Sequence, residues 1–448
     1  MVPVDVFSDF EALLTFAERE YNGSLFLSRG DERISFSQFG QNVRKLASRF
    51  RSNCVYALSI HDPLLFAQAF YACVLSGAVA FLSAPEESAT ALPGDISILN
   101  DMDIVSGSTL GSARSTQSES NDLCTIAFSS GTTAAGKGVM LSQKNLLMDT
   151  AYSIDRYRFW QGKRILHVLP YHHLFGLVSD LLAPLHMGTQ VHFPSHPLRA
   201  LRETLLCRPD AISIPPAYVD AVLSISEFAR CDADSDEPWM KILCSGAALS
   251  KKKSYQLLRR GILPCTAYGL TECSPCVTIT EDDDVRPGTV GREIGCVKLA
   301  FSDDNEILVS GDTVMLGYYR NPDETLRKIR NGWLHTGDLG YRDEHGHIVL
   351  TGRKDNLLIL PNGMNCSPEG IEARLSTVDG VQECVLLQNP SSTDELLLVI
   401  VKNSDSHVDT ASINRIMAEH GIERYKTLYR EGALPKNLMG KVIRKHVL

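Results

Sequence analysis

The sequence predicts an α/β protein. A large N-terminal domain carries parallel-type sheets and a β-rich subdomain, and a small α+β domain closes the chain. Three observations predict this. Short apolar strands alternate with helical segments through the first part of the chain, beginning with Val55–Ile60, Leu64–Leu75 and Val79–Leu82. From Gly288 onward, glycines and turn residues become dense and the strands short. Near Gly352 the pattern changes again, into Gly380–Val401 and Ile413–Leu434, and ends in a Gly440-Lys441 loop.

Taken in order, Phe10–Tyr21 has helical spacing, and Ser35 with Gln38 forms a capping box for a helix reaching about Phe50. The 23 residues of Pro63–Pro85 carry no charge and are long enough to cross a bilayer. Gln68, Ser76 and Gly77 interrupt them and their flanks are Asp62 and Glu86, so they read as a buried helix and a core strand, not a membrane span. Residues Glu86–Asp122 are polar and Ser-rich and read as loop. Strands recur at Leu123–Phe128, Ile165–Leu169, Gln190–Phe193, Ala211–Ile214, Lys241–Cys244 and Pro264–Ala267. Cys231–Pro238 reads as an acidic surface loop, Glu281–Asp284 as a solvated acidic run, and His345 and His347 as surface residues of a turn at Gly346.

The 448 residues include 44 Lys+Arg and 53 Asp+Glu, a formal charge of −9. A hydrophobic share of 44% excludes wholesale disorder. The acidic balance opposes nucleic-acid binding, which needs a basic face, but leaves room for a local basic pocket. The 12 cysteines are scattered, and Met1–Asp9 lacks a basic start and an apolar core. Reduced thiols in the cytoplasm are the expectation.

The strongest local signal is the run from Cys124 to Val139, where an apolar strand leads into Ser129-Ser130-Gly131-Thr132-Thr133-Ala134-Ala135-Gly136-Lys137-Gly138. Glycines let a backbone approach phosphate, hydroxyls and amides donate to its oxygens, and lysine supplies charge. Gly131 to Lys137 fits the first seven positions of a P-loop, but Gly138 stands where that motif needs Ser or Thr for Mg²⁺, and the next helix starts only after Ser142. Further segments follow strands in order: Pro170-Tyr171-His172-His173-Leu174-Phe175-Gly176, Ser245-Gly246-Ala247-Ala248, Ala267-Tyr268-Gly269-Leu270-Thr271-Glu272, His335-Thr336-Gly337-Asp338, Thr351-Gly352-Arg353-Lys354-Asp355 and Lys436-Asn437-Leu438-Met439-Gly440-Lys441.

This ordered set resembles the adenylate-forming superfamily of acyl- and aryl-CoA synthetases, peptide-synthetase adenylation domains and luciferase. The resemblance implies an AMP-binding N-terminal domain over 1–352, with the β-rich part about 288–352, and a mobile C-terminal domain over 353–448 hinged at Asp355. It implies ATP-dependent activation of a carboxylic acid, with pyrophosphate release and transfer to CoA or to a carrier-protein phosphopantetheine arm. Ser129, Ser130, Gly131, Thr132, Thr133 and Lys137 match the pyrophosphate loop. Thr271 and Glu272 match the pair in which Glu ligates Mg²⁺ and Thr contacts phosphate. Asp338 and Arg353 match the ribose-binding residues. Ser245, Gly246, Ala247, Ala267, Tyr268 and Gly269 match the adenine-side wall, and Lys441 the lysine that bridges acid and α-phosphate. His172, His173, Phe175, Ser179 and Cys273 are candidates for the acyl pocket, which in the family an aromatic or His gate precedes, and His173 is also expected among the catalytic residues with Lys441, Glu272 and Thr271.

Some residues depart from the family or admit another reading. The loop lacks the family's usual glycine, at Ala134, and its usual proline, at Gly136, which leaves an inactive nucleotide-binding homologue open. The His172-His173 pair and Cys273-Ser274-Pro275-Cys276 invite metal or redox readings, but neither has partner ligands at metal spacing. Lys436, Lys441, Arg444 and Lys445 form a basic cluster that suits CoA phosphates, an acidic carrier protein or simple solvation. Nothing like an amine-holding aspartate opens the pocket, although Asp180 is near, so an aromatic or fatty acid is expected over an amino acid.

Overall fold

The computed structural model describes residues 5–82, 96–106, 110, 122–129, 137–156, 163–194, 203, 208–226, 238–360, 365–392, 395–403, 407–437 and 440–448. The chain forms two compact units, Met1–Leu299 with Val309–Leu334, and Ala300–Leu308 with His335–Leu448.

In the first unit a six-stranded sheet is built from β3 (Val55–Leu58), β4 (Val79–Leu82), β5 (Ser97–Leu99), β6 (Leu123–Ser129), β7 (Lys137–Ser142) and β17 (Gly317–Tyr318), in the order β17-β7-β6-β4-β3-β5. β3 runs parallel to β4, and β4 to β6, as the strand–helix–strand pattern predicts. The connecting helix α3 (Pro63–Leu75) explains the uncharged stretch. Its first amides are capped by Asp62, Pro63 presets its first turn, and nine of its residues are buried. No described helix is long and apolar enough to cross a membrane.

A nine-stranded sheet combines β1 (Leu25–Arg29), β2 (Glu32–Ser35), β8 (Arg164–Leu166), β9 (Gln190–His192), β10 (Ala211–Ile214), β11 (Met240–Cys244), β12 (Ile262–Gly269), β13 (Cys276–Ile279) and β14 (Arg292–Glu293). Its parallel centre, β8, β10, β11 and β12, packs Ile212, Ile214, Ile242 and Ile262 into one core. Such strands, buried on both faces, read as continuous apolar runs.

The structure differs from the expectation in three places. Residues 86–122 were expected as loop, but their described part holds β5, paired with β3, and the helix Asp101–Val105. Only Leu99 of β5 is buried, so the strand carries no readable period; the helix is anchored by an Asn100–Asp103 capping box. The acidic run Glu281–Asp284 is largely paired instead of solvated: Glu281 meets Arg156, Asp282 meets Lys241, and Asp284 meets Arg286 and Arg292. His347 is buried at 1% exposure, while His345 stays exposed. Asp343 accepts both histidine amides, and that tight turn sends the second side chain inward. The expected acidic loop at Cys231–Pro238 lies, except for Pro238, outside the described residues.

In the second unit, β19 (Trp333–Arg342) and β20 (Ile348–Arg353) pair antiparallel, with Asp338 directly opposite Arg353. The C-terminal part is α+β. Strands Val381–Gln388, Leu396–Lys402 and Tyr425–Arg430 form a sheet, on which helices Pro368–Leu375 and Thr410–Glu419 bury Ile371, Leu375, Ile413 and Met417.

Candidate active site

β6 and β7 form an antiparallel hairpin in which Ser129 pairs with Lys137, so the hydroxyl- and glycine-rich segment is the connection of two hydrogen-bonded strands. Ser130, Gly131, Thr132 and Thr133 lie outside the described residues, as does the side chain of Ser129. The hairpin settles the P-loop alternative. Lys137 opens a strand, not a helix, and Gly138 accepts the Tyr319 amide at 2.7 Å. A Cβ on Gly138 would stand 3.1 Å from Ile126 and 3.3 Å from Tyr319, so the position serves close packing of β7 against the segment after β17.

Lys137 Nζ meets Glu324 Oε1 at 2.6 Å and stands 5.3 Å from the centroid of the Tyr318 ring. The lysine holds the Glu324 carboxyl below the usual carboxylate range. The Tyr318 hydroxyl donates to Glu272 Oε1 at 2.7 Å. Burial, and then the Glu272 carboxylate, push the Tyr318 phenol far above its ordinary value, so it remains a donor at any physiological pH. Lys137 and Glu272 therefore converge on one buried tyrosine. Thr271 and Glu272 lie on a 3₁₀ turn, Thr271–Cys273, directly after β12. Gly269, which ends β12, admits no side chain: a Cβ would fall 1.7 Å from the Pro275 carbonyl oxygen.

Ser245, Gly246 and Ala247 follow β11 in sequence, and Gly246 takes φ +84. Ser245 is buried, whereas Gly246 and Ala247 are exposed. Ser245, Ala267 and Tyr268 share the lining of a cavity with Phe175 and Ser179. The cavity holds about 570 Å³, partly open to solvent. His172, His173 and Cys273 are not among its lining residues. The two histidine rings lie 4.5 Å apart, each with a buried Nε2 that has no partner. Burial, together with His173, brings His172 down to about 4; burial alone lowers His173. Both are neutral at pH 7. Cys273 is fully buried and Cys276 lines the cavity; neither is in a disulfide, and no described cluster of His, Cys, Asp or Glu is suited to a metal.

The helical run Leu174–Met187 that carries Phe175 and Ser179 contains a π-helical turn, Val178–Leu182, closed by the Ala183 amide on the Val178 carbonyl. Asp180 inside that turn is fully buried. It accepts from Ser179 Oγ at 2.7 Å, and its other oxygen lies 3.0 Å from His167 Nδ1. Asp180 is thus engaged within the protein and not presented to the cavity as a free carboxylate.

In the second unit the Arg353 guanidinium donates to Asp338 Oδ1 at 2.8 Å, and Asp355 lies 3.7 Å from its other end. The Lys441 ammonium makes no ion pair or hydrogen bond among the described residues. Lys441 is exposed by surface area, yet protein crowds it. Desolvation and the Arg353 charge bring it below the ordinary lysine value, against the opposing pull of Asp338 and Glu369. The rest of the basic cluster is partly neutralised: Lys436 pairs with Glu383 and Arg444 with Glu372.

Glu272 fits Mg²⁺ in one specific way. It is a hard carboxylate, tied by one oxygen to Tyr318 and in no ion pair with a described Lys or Arg, and it belongs to no described group of three or more His, Cys, Asp or Glu. Mg²⁺ is commonly held by one or two carboxylates plus substrate phosphates and water, not by an all-protein cage. Tyr318, Glu324 and Asp149, described further below, were not singled out in the sequence. The only signal for the first two was Gly317-Tyr318-Tyr319-Arg320-Asn321-Pro322, a turn leading into a capped helix.

A family model described as AMP-binding enzyme matches residues 83–319, just over half of the chain. The chain belongs to this AMP-binding enzyme family. Its place in the adenylate-forming superfamily is thereby shown. Among AMP-binding relatives, the long-chain-fatty-acid–CoA ligase of Escherichia coli O6:H1 is 31% identical over 353 residues, covering 73% of this chain and 61% of that one. The 4-coumarate–CoA ligase 3 of Oryza sativa subsp. japonica is 29% identical over 357 residues, covering 72% and 63%. The matched region thus spans about three fifths of the length of these relatives. The fold of AMP-binding enzymes is shared across nearly the whole chain: O-succinylbenzoate coenzyme A synthetase from Bacillus subtilis, in complex with AMP, superposes with a TM-score of 0.82 at 20% identity, covering 97% of each chain.

Proposed function

We propose that this protein couples ATP to a carboxylic acid, forming an acyl-adenylate and pyrophosphate, and passes the acyl group to the thiol of CoA. The observation that carries the reading is the convergence of Lys137 and Glu272 on Tyr318 beside the strand hairpin that brackets the Ser/Gly loop. The relatives named for CoA ligation support the acceptor.

The acid is already ionised at neutral pH, so no general base is needed. A carboxylate oxygen attacks the α-phosphorus, and the bond to the bridging oxygen breaks as pyrophosphate leaves. The obstacle is repulsion between anions, met by positioned positive charge. Lys137 exchanges Glu324 for phosphate oxygens. Glu272, aligned by Tyr318, would hold Mg²⁺, which would supply positive charge beside the phosphates. Thr271 contacts phosphate, Asp338 and Arg353 hold the ribose hydroxyls, and Lys441 neutralises charge between acid and α-phosphate. The cavity lined by Phe175, Ser179, Ser245, Ala267 and Tyr268 takes the acid's body. In the second half-reaction the thiol sulfur attacks the acyl carbonyl, its proton is released and AMP leaves. A hinge at Asp355 lets Lys441 serve the first half-reaction only.

The test is acid-dependent pyrophosphate release with Mg-ATP across aryl, short, medium and long acids, followed by CoA or a phosphopantetheinylated carrier protein. Consumption of the adenylate by CoA supports the reading. Consumption by the carrier alone replaces the acceptor. ATP cleaved to ADP, or folded protein silent with every acid, overturns it.

A further inference from the structure

The cavity is mostly apolar, with Ile154, Phe175, Val178, Leu243 and Ile279 on its walls. Two polar residues of helix Gln143–Arg156 interrupt that lining, Asp149 and Ser153. They stand four residues apart and so share one helix face. Asp149 is fully buried. Its Oδ1 accepts the Cys276 amide at 2.8 Å, while its Oδ2 has no partner. Ser153 Oγ is likewise buried and meets the Cys276 thiol, a weak partner. No described lysine, arginine or histidine pairs with Asp149. Buried polar groups in native proteins are ordinarily satisfied, so an unpartnered carboxyl oxygen beside a hydroxyl held only weakly, on one face of one cavity, calls for a ligand group.

We propose that Asp149 and Ser153 form a polar subsite for a hydroxyl group carried on the otherwise apolar body of the acid substrate. The proposal rests on the adenylation reading and narrows its substrate class. A hydroxyl suits both groups because it donates and accepts at once. Burial pushes the Asp149 carboxyl well above the usual carboxylate range, which favours its neutral, O–H-donating form. That favours a neutral oxygen over an ammonium group, which would need the ionised form. A purely architectural role, tying the helix to β13 through the Cys276 amide and thiol, accounts for Oδ1 and part of Ser153 but leaves Oδ2 without a partner.

The test uses matched acids, aryl and medium-chain, each with and without one hydroxyl. Two readouts are taken: kcat/KM for pyrophosphate release, and the shift in melting temperature on adding the acid. The hydroxylated member of at least one pair should be preferred by roughly tenfold or more, because its analogue leaves buried polar groups unpaired. Ser153→Ala should reduce that preference several-fold. Asp149→Asn, which keeps an acceptor for the Cys276 amide and a donor toward the cavity, should retain it, and Asp149→Leu should abolish it if that variant folds. Equal use of both members of every pair overturns the subsite while adenylation stands. Preference for an amino-bearing acid that Asp149→Asn destroys also overturns it. If no acid releases pyrophosphate, adenylation fails, and equal melting shifts within every pair overturn the subsite independently.

Discussion

Replacing Tyr318 with Phe removes one oxygen from the constellation around Glu272 and leaves the rest in place. The ring, 2% exposed, stays beneath Lys137. What is lost is the 2.7 Å hydrogen bond to Glu272 Oε1. A hydrogen bond to a charged group contributes about 1.5–3 kcal/mol, and Glu272 is only half-buried, so water recovers part of it and the lower end applies. At roughly 1.4 kcal/mol per decade, that is about tenfold in whatever equilibrium depends on the placement of Glu272. In the proposed reaction that equilibrium is Mg²⁺ binding with the nucleotide. Pyrophosphate release measured across Mg²⁺ concentrations at fixed ATP should show the half-maximal Mg²⁺ concentration rising about tenfold in Tyr318→Phe, with the melting temperature lowered by less than ~4 °C. An unchanged Mg²⁺ requirement, with any rate loss accounted for by less folded protein, would refute the argument that Tyr318 aligns a metal-binding carboxylate.

Four further outcomes are expected. Lys441→Ala should abolish adenylation while sparing thioester formation from supplied acyl-adenylate; equal loss in both steps contradicts a role confined to the first. Because Lys441 lies below the ordinary lysine value and acts only as a cation, adenylation should fall as pH rises, beginning below the ~10.4 of a free lysine, and Lys441→Arg should remove that limb from the pH–rate profile. Glu324→Gln releases Lys137 from a partly exposed ion pair worth ~0.2–1 kcal/mol, so the KM for ATP should fall by up to about fivefold; a rise would mean that Glu324 holds the lysine in place for ATP. Gly269→Ala forces a Cβ onto the Pro275 carbonyl oxygen and should lose ~2–3 kcal/mol by urea unfolding, and a wild-type midpoint would show that the turn has room.

Much of the first unit was legible because its signals are local. The helix Pro63–Leu75 announces itself by a run without charge bracketed by Asp62 and Gly77, and the strands on either side read as short apolar blocks. The capping box at Ser35 and Gln38 is present in full. What escaped is long-range or aperiodic. Tyr318 meets Glu272 across 46 residues and Lys137 meets Glu324 across 187, and no window of sequence encodes either contact. The short strand β5 was missed because it depends on β3, elsewhere in the chain, for its pairing; the hairpin β1–β2 pairs locally and joins the sheet through β9. Asp149 was readable in principle: it is the acid on the buried face of an amphipathic helix, beside Leu146 and Leu147. Asp180 drew attention through proximity in sequence, but His167 and Ser179 already occupy it.

The π-helical turn at Val178–Leu182 has an evolutionary consequence. Such a turn holds one residue more than an α-helix of the same span. Deleting a single codon there would restore regular i→i−4 bonding and swing everything on one side of the turn by about 100° around the axis, with a shift of ~1.5 Å. Phe175 would move relative to the rest of the wall, or Ser179 and Asp180 would turn away from the positions they now hold. The cavity could thus be reshaped by one deletion event, in a single step that no point substitution at the wall reproduces.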